Sequence, residues 1–251
     1  MKTLFLAWQD PNNRSWFPIG RLTFESEKFT FVYTQGASTA AQDSTFEPLY
    51  SFPDFDRVYC SETLFPFFAN RVMRPSRPDY TDYIEWLNIP QHPDDPITIL
   101  SRSGGKKATD HFEVFPCPEP DQNGLYHIHF FLHGLRHRQQ SAIERVNTLN
   151  VREQLYLMHD VQNAHDSWAL ALRTDDEHLI GYCPRYLVPD IHELLKQNPK
   201  LVNVHVERVN LVPAPIQLRL LCSITAEWPS DFSPFSSQDY QPLATEAEYA
   251  A

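Results

Sequence analysis

The chain has 251 residues, 42% of them hydrophobic and 21% charged, a balance that excludes an intrinsically disordered protein and fits one large domain or two small ones. No run approaches the ~20 consecutive apolar residues of a membrane helix, so no membrane partner is expected. Lys and Arg number 21 against 32 Asp and Glu, a net charge of −11, and a field of that sign excludes a non-specific coat for duplex DNA.

The apolar stretch at residues 4–7 is too short for a secretory signal. The four cysteines, Cys60, Cys117, Cys183 and Cys222, show no CxxC spacing and read as reduced thiols, so the expected compartment is the cytoplasm. With 21 Pro against 7 Gly, long helices are disfavoured and rigid connections favoured.

Residues 3–8 predict a strand, ended by the turn formers Asp10, Pro11, Asn12 and Asn13. Residues 16–24 return from it, and residues 29–34 add a third antiparallel strand, turned by Gln35-Gly36-Ala37. Residues 64–73 read as a buried helix or helical turn. Residues 80–87 carry Tyr80, Tyr83, Ile84 and Leu87 at helical spacing. A third short helix starts at Pro96 and ends at Gly104-Gly105, and residues 111–116 return to strand alternation. The proline-rich segment 116–124 is either a domain boundary or a long hairpin loop.

The second half predicts strands at residues 126–133, 154–159, 168–173 and 180–184. Its one helix spans residues 187–197, with Leu187, Ile191, Leu194 and Leu195 on one face. Strands at 202–209 and 216–224 follow, and residues 237–251 read as a loose tail. From residue 126 to 185 six Arg face seven Asp or Glu, and seven of the eleven His lie between His127 and His178. This stretch is the part of the chain best suited to face an anion.

Several residues admit a structural reading beside a functional one. Asn163 and Asp166 either shape the loop between two strands through Asx-type bonds or meet a ligand. Gly181 suits close backbone packing. Arg185 caps a helix, pairs with Asp190 or holds a phosphate. Trp168 alternates with Leu170 and Leu172, which places it in the core, and Tyr182 is core or platform. His127 and His129 share a strand face, but a third and fourth ligand are not spaced to join them, so no metal is expected. Ser103-Gly104-Gly105-Lys106-Lys107 lacks the spacing of a phosphate loop, Asp175-Asp176-Glu177 reads as a hairpin tip, and no Gly-x-Ser-x-Gly elbow is present. Neither an enzyme nor a cofactor is expected.

Three blocks carry a resemblance. Gly134-Leu135-Arg136-His137, the stretch Met158-His159-Asp160-Val161-Gln162-Asn163-Ala164-His165-Asp166-Ser167-Trp168-Ala169-Leu170, and Ile180-Gly181-Tyr182-Cys183-Pro184-Arg185-Tyr186-Leu187 together resemble the HIRAN domain. The resemblance implies an OB-like β-barrel that binds single-stranded DNA and captures its free 3′ end. By position, Asp166 would accept a hydrogen bond from the 3′ hydroxyl and His165 would replace a stacking Tyr. Arg136 and Arg185 would hold phosphates, with His137 replacing a second aromatic and Tyr182 in the same DNA-binding set; Pro215 stands near the place of a further aromatic. Residues 19–33, 65–70 and 99–105 are similar to the N-terminal subdomain of HipA-type toxin kinases, without the kinase core that would follow.

The expected architecture is therefore α+β. Residues 1–120 form a HipA-N-terminal-like β meander with short helices, 126–236 a small OB-like barrel with one helix, and 237–251 a tail. The implied function is non-catalytic recognition of single-stranded DNA or DNA ends, with a protein partner for residues 1–116. The alternative is a protein-interaction or regulatory subunit without DNA binding.

Overall fold

Turn chemistry sets the first hairpin. The Asp10 carboxylate accepts the Asn12 N–H at 2.8 Å and the Asn13 side chain accepts the Ser15 N–H at 2.7 Å, which reverses the chain between β1 (Lys2–Gln9) and β2 (Trp16–Glu25). The computed structural model describes residues 1–89 and 94–244. It divides into two compact units: Met1–Thr81, Ile89–Cys117 and the described residues from Phe235 onward in one, Asp82–Asn88 and Pro118–Pro234 in the other.

In the first unit, β3 (Lys28–Tyr33) pairs with β2 as the meander requires. The residues read as a closing turn instead open α1 (Gln35–Asp43). A Cβ on Gly36 would lie 2.1 Å from the carbonyl oxygen of Pro18, so the helix docks against β2 at a distance only glycine allows. Its buried residues are small, Gly36, Ala37 and Ala40, and leave little apolar periodicity to read. β4 (Tyr59–Ser61) adds a short edge that the sequence did not announce.

Of the helix read at 64–73, one turn forms, α2 (Pro66–Ala69). The chain then buries Arg71, whose guanidinium lies 4.3 Å from the Phe67 ring centre and pairs with Asp110 at 2.6 Å. α3 (Tyr80–Leu87) and α4 (Pro96–Ser103) form as expected. Asp95 caps α4 by accepting the Ile97 N–H at 3.1 Å, and Gly104 ends it in the left-handed region at φ 74°. β5 (Phe112–Pro116) completes a sheet ordered β4-β3-β2-β1-β5. Aromatic rings fill its core. Phe31 stacks on Phe52 at 4.1 Å, and the Tyr33 hydroxyl both donates to Phe52 O and accepts from Leu49 N.

The tail read as loose from residue 237 is packed over its described part. Phe235 and Tyr240 are buried and meet Phe5 edge-on at 5.4 and 5.1 Å. Backbone bonds from Gln35 N to Gln241 O and from Leu243 N to Tyr33 O hold the segment down. Its few apolar residues have no period because they dock one by one. Residues 245–251 lie outside the described residues.

In the second unit, an Asp121 turn leads into β6 (Leu125–Phe131). α5 (Gln140–Asn147), β7 (Gln154–His159), β8 (Leu170–Arg173) and β9 (Leu179–Tyr182) follow. Then come α6 (Val188–Gln197), β10 (Asn203–Val209) and β11 (Leu220–Glu227). The sheet is ordered β6-β11-β10-β7-β8-β9. His133, just past β6, pairs with Tyr182 of β9 through both backbone bonds, at 3.0 and 2.9 Å, and so curls the sheet's two ends together. A Cβ on Gly181 would stand 2.5 Å from His133 O, so close backbone packing is its role.

The α+β class with a curled, OB-like sheet in the second half is what folds. Residues 118–234 hold two α-helices where the sequence predicts one. α5 buries only Ala142 and Val146, a stripe too narrow to register against its polar residues. Residues 216–218 form a 3₁₀ turn rather than strand.

Candidate nucleic-acid interface

The turn after β6 projects cations because its middle is anchored. Gly134 adopts φ 77° and Leu135 is buried, while Arg136 and His137, the next two residues of the same 3₁₀ turn, are exposed. Arg136 Nε donates to His137 Nε2 at 2.9 Å. The Arg138 guanidinium lies over the Tyr182 ring at 5.4 Å, and its Nε is buried without a hydrogen-bond partner. Among the described residues neither Arg136 nor Arg138 forms an ion pair. Three other arginines of this unit are paired with carboxylates: Arg145 with Glu153 and Asp176, Arg185 with Asp166, and Arg208 with Glu85.

Tyr182 is held on both sides. Its ring packs where a Cβ on Gly134 would stand 3.3 Å away, and its hydroxyl donates to Asp160 Oδ2 at 2.9 Å. Burial, then this bond and the carboxylate's charge, raise the phenol's pKa. The hydrogen bonds from Asn163 and Tyr182 in turn hold the Asp160 carboxyl below its ordinary range.

The loop between β7 and β8 is built by Asx bonds. Asn163 donates to Asp160 Oδ2 at 3.0 Å and accepts from the N–H groups of His165 and Asp166. Asp166 Oδ1 accepts the Trp168 N–H at 3.0 Å, and Asp166 Oδ2 accepts Arg185 Nε at 3.0 Å. Arg185 also reaches His165 O at 3.2 Å. The loop-shaping reading of Asn163 and Asp166 is thus what the geometry shows. A carboxylate offers about four lone-pair sites, so Asp166 retains acceptor capacity beyond these two bonds.

All six sequence-predicted residues lie on this network or beside it. Asp160 and Asn163 link Tyr182 to Asp166 and Arg185, and the Gly134 turn abuts Tyr182. Arg136 and His137 pair with each other, and the His165 side chain is exposed.

One residue escapes the sequence reading and one is misplaced by it. Arg138 sits two positions beyond Arg136 on the same turn, which was the available signal. Trp168 is not core: β8 starts only at Leu170, so the alternation does not extend to Trp168 and 62% of its surface is exposed.

The histidines of β6 give no metal geometry. His127 and His129 rings lie 4.6 Å apart and His129 Nε2 is 3.6 Å from Glu207 Oε2. Among the described residues no three His, Cys, Asp or Glu side chains converge on a metal position. All four cysteines are unbridged, and burial raises the pKa of Cys183 and Cys222.

The family comparison falls on this unit: the HIRAN domain model matches residues 125–229. This part of the chain is a HIRAN domain. Among solved structures, the crystal structure of the HIRAN domain of human HLTF is similar at 17% identity and a TM-score of 0.30, over 42% of this chain and 80% of that one. A protein from Lactobacillus plantarum is similar at 18% identity and a TM-score of 0.30, over 41% of this chain and all of the other. No curated protein matches the chain. The family match leaves residues 1–124 outside it, and within the HIRAN domain it takes in both the Arg136–Arg138 turn and the Asp160–Asp166 loop.

Proposed function

We propose that the HIRAN domain of this chain binds single-stranded DNA, including its 3′ end, and does so without catalysis. The observation that carries this reading is the turn at Arg136 and Arg138. Two cations that form no ion pair among the described residues lie on one turn of a chain of net charge −11, with Arg138 over the Tyr182 ring and within electrostatic reach of Asp160. Phosphates need such cations, and unpaired bases need aromatic faces. Asp166, with acceptor capacity left and its orientation fixed by Trp168 and Arg185, suits a terminal hydroxyl, since a hydroxyl donates and a carboxylate accepts.

Fluorescence anisotropy at low salt with three oligonucleotides tests the reading: a single strand ending in a 3′ hydroxyl, the same strand with a 3′ phosphate, and a blunt duplex. The expected order is hydroxyl end, phosphate end, duplex. Arg136→Ala and Arg138→Ala should each weaken both single strands, whereas Asp166→Ala should erase the difference between the two ends. A parent protein that binds none of the three would overturn the proposal in favour of a protein-interaction role.

A further inference from the structure

Trp168 is exposed over 62% of its surface and yet is fixed. Its ring stacks on His159 at 6.2 Å with 22° between the planes, and meets His192 edge-on at 5.3 Å and 81°. Both imidazoles are themselves tied to the loop. His159 Nε2 bonds Ser167 O at 2.8 Å and His192 Nε2 bonds Trp168 O at 3.1 Å. A carbonyl oxygen only accepts, so each Nε2 carries the hydrogen. From below, the Trp168 N–H is held by Asp166, whose other oxygen holds Arg185.

The result is an exposed indole whose backbone, with that of Ser167, is held by three hydrogen bonds and whose ring meets two imidazoles. The rings that touch it are the imidazoles of His159 and His192, and Met158 and Val161 nearby in sequence are also exposed. An exposed flat π-face suits an unpaired base, which stacks on it whatever its identity.

We propose that Trp168, backed by His159 and His192, is a stacking platform for one unpaired base of a single strand. The inference rests on the single-strand reading above and adds a base contact apart from the Arg136–Arg138 turn. Stacking of this kind is sequence-tolerant, because every base has a π-face. Removing it should cost about tenfold in affinity, as expected from ~1–3 kcal/mol per stacked base.

An abasic scan tests it. Oligothymidylates carrying one abasic site at each successive position are titrated into the parent protein, Trp168→Ala and Trp168→Phe. In the parent, one position should cost about tenfold when its base is removed. That position should become indifferent in Trp168→Ala and stay sensitive in Trp168→Phe, with melting temperatures unchanged because the side chain is exposed. Millimolar thymidine monophosphate should compete poorly. If Trp168→Ala binds every oligonucleotide as the parent does, with the same abasic profile, the platform is overturned and the single-strand reading stands. If the mononucleotide competes as well as the strand, the site takes free nucleotides and the assignment to a strand fails. A parent that binds no single strand at low salt overturns both readings together.

Discussion

A Cβ at Gly181 would lie 2.5 Å from His133 O and 2.7 Å from Leu132 Cγ. The oxygen belongs to the backbone pair that joins β9 to the segment after β6, so it cannot yield without loosening the curl of the sheet. Gly181→Ala should therefore lower stability by about 1–3 kcal/mol, read as a shifted urea midpoint, and disturb the neighbouring Tyr182. At Tyr182 the test is electrostatic. Asp160 is held low by the hydrogen bonds from Asn163 and Tyr182, so Tyr182→Phe should raise the Asp160 pKa back towards its ordinary value. A carboxylate titration followed by NMR would read this directly, and an unmoved pKa would mean the bond contributes nothing. Neither side-chain geometry was legible beforehand. The Ile180-Gly181-Tyr182 block announced the residues, but the carbonyl that crowds Gly181 lies almost fifty residues away in sequence.

Elements in this protein are joined by a few charged or aromatic clamps. Arg145 of α5 reaches Glu153 before β7 and Asp176 in the β8–β9 turn, the latter at 2.9 Å. Hydrogen bonds from Thr174 and Arg145 hold Asp176 down to about 2. Because the folded value lies below the ordinary 3.8, the clamp's contribution is fully present above about pH 4 and is lost as the pH falls towards 2. Urea denaturation at a series of pH values should show that loss in the parent and a flatter profile in Asp176→Asn. The acidic trio at 175–177 forms the tip of the β8–β9 hairpin, as its sequence suggests, but its partner sits on a helix that the sequence does not reveal. The same holds for the segment at 235–244. Phe235 is buried against Phe5 and Phe115, so Phe235→Ala should cost about 3 kcal/mol. A thermal melt unchanged by that substitution would return the segment to the status of a loose tail.

At the scale of the whole molecule, charge and chain path matter most. A net charge of −11 opposes any polyanion at long range, so binding through Arg136 and Arg138 must be local and strongly salt-dependent. For a single strand the logarithmic salt slope is about −0.7 per phosphate neutralised, and each Arg→Ala change should reduce the slope by about that amount. A slope that stays near zero in the parent would contradict phosphate contact altogether. Chain path adds a second consequence. Residues 82–88 belong to the same unit as the HIRAN domain, where Asn210 Nδ2 bonds Trp86 O at 2.9 Å and Asn88 Nδ2 bonds Glu207 at 3.1 Å.

By itself the sequence determined the α+β class, the antiparallel meander at the start, the capped helix at 96–103 and the three blocks of the HIRAN domain. These are properties of local chemistry: turn formers, caps and period-two alternation act within a few residues, and a motif is a string. The tertiary structure decided which helices exist beyond those stripes, that Trp168 faces outward, that Asp166 is tied to Arg185, and that Arg136 and Arg138 form no ion pair among the described residues. Each of those depends on which groups from distant parts of the chain arrive within a few ångströms. Contact of that kind follows from close packing and backbone pairing across the fold, and no window along the sequence contains it.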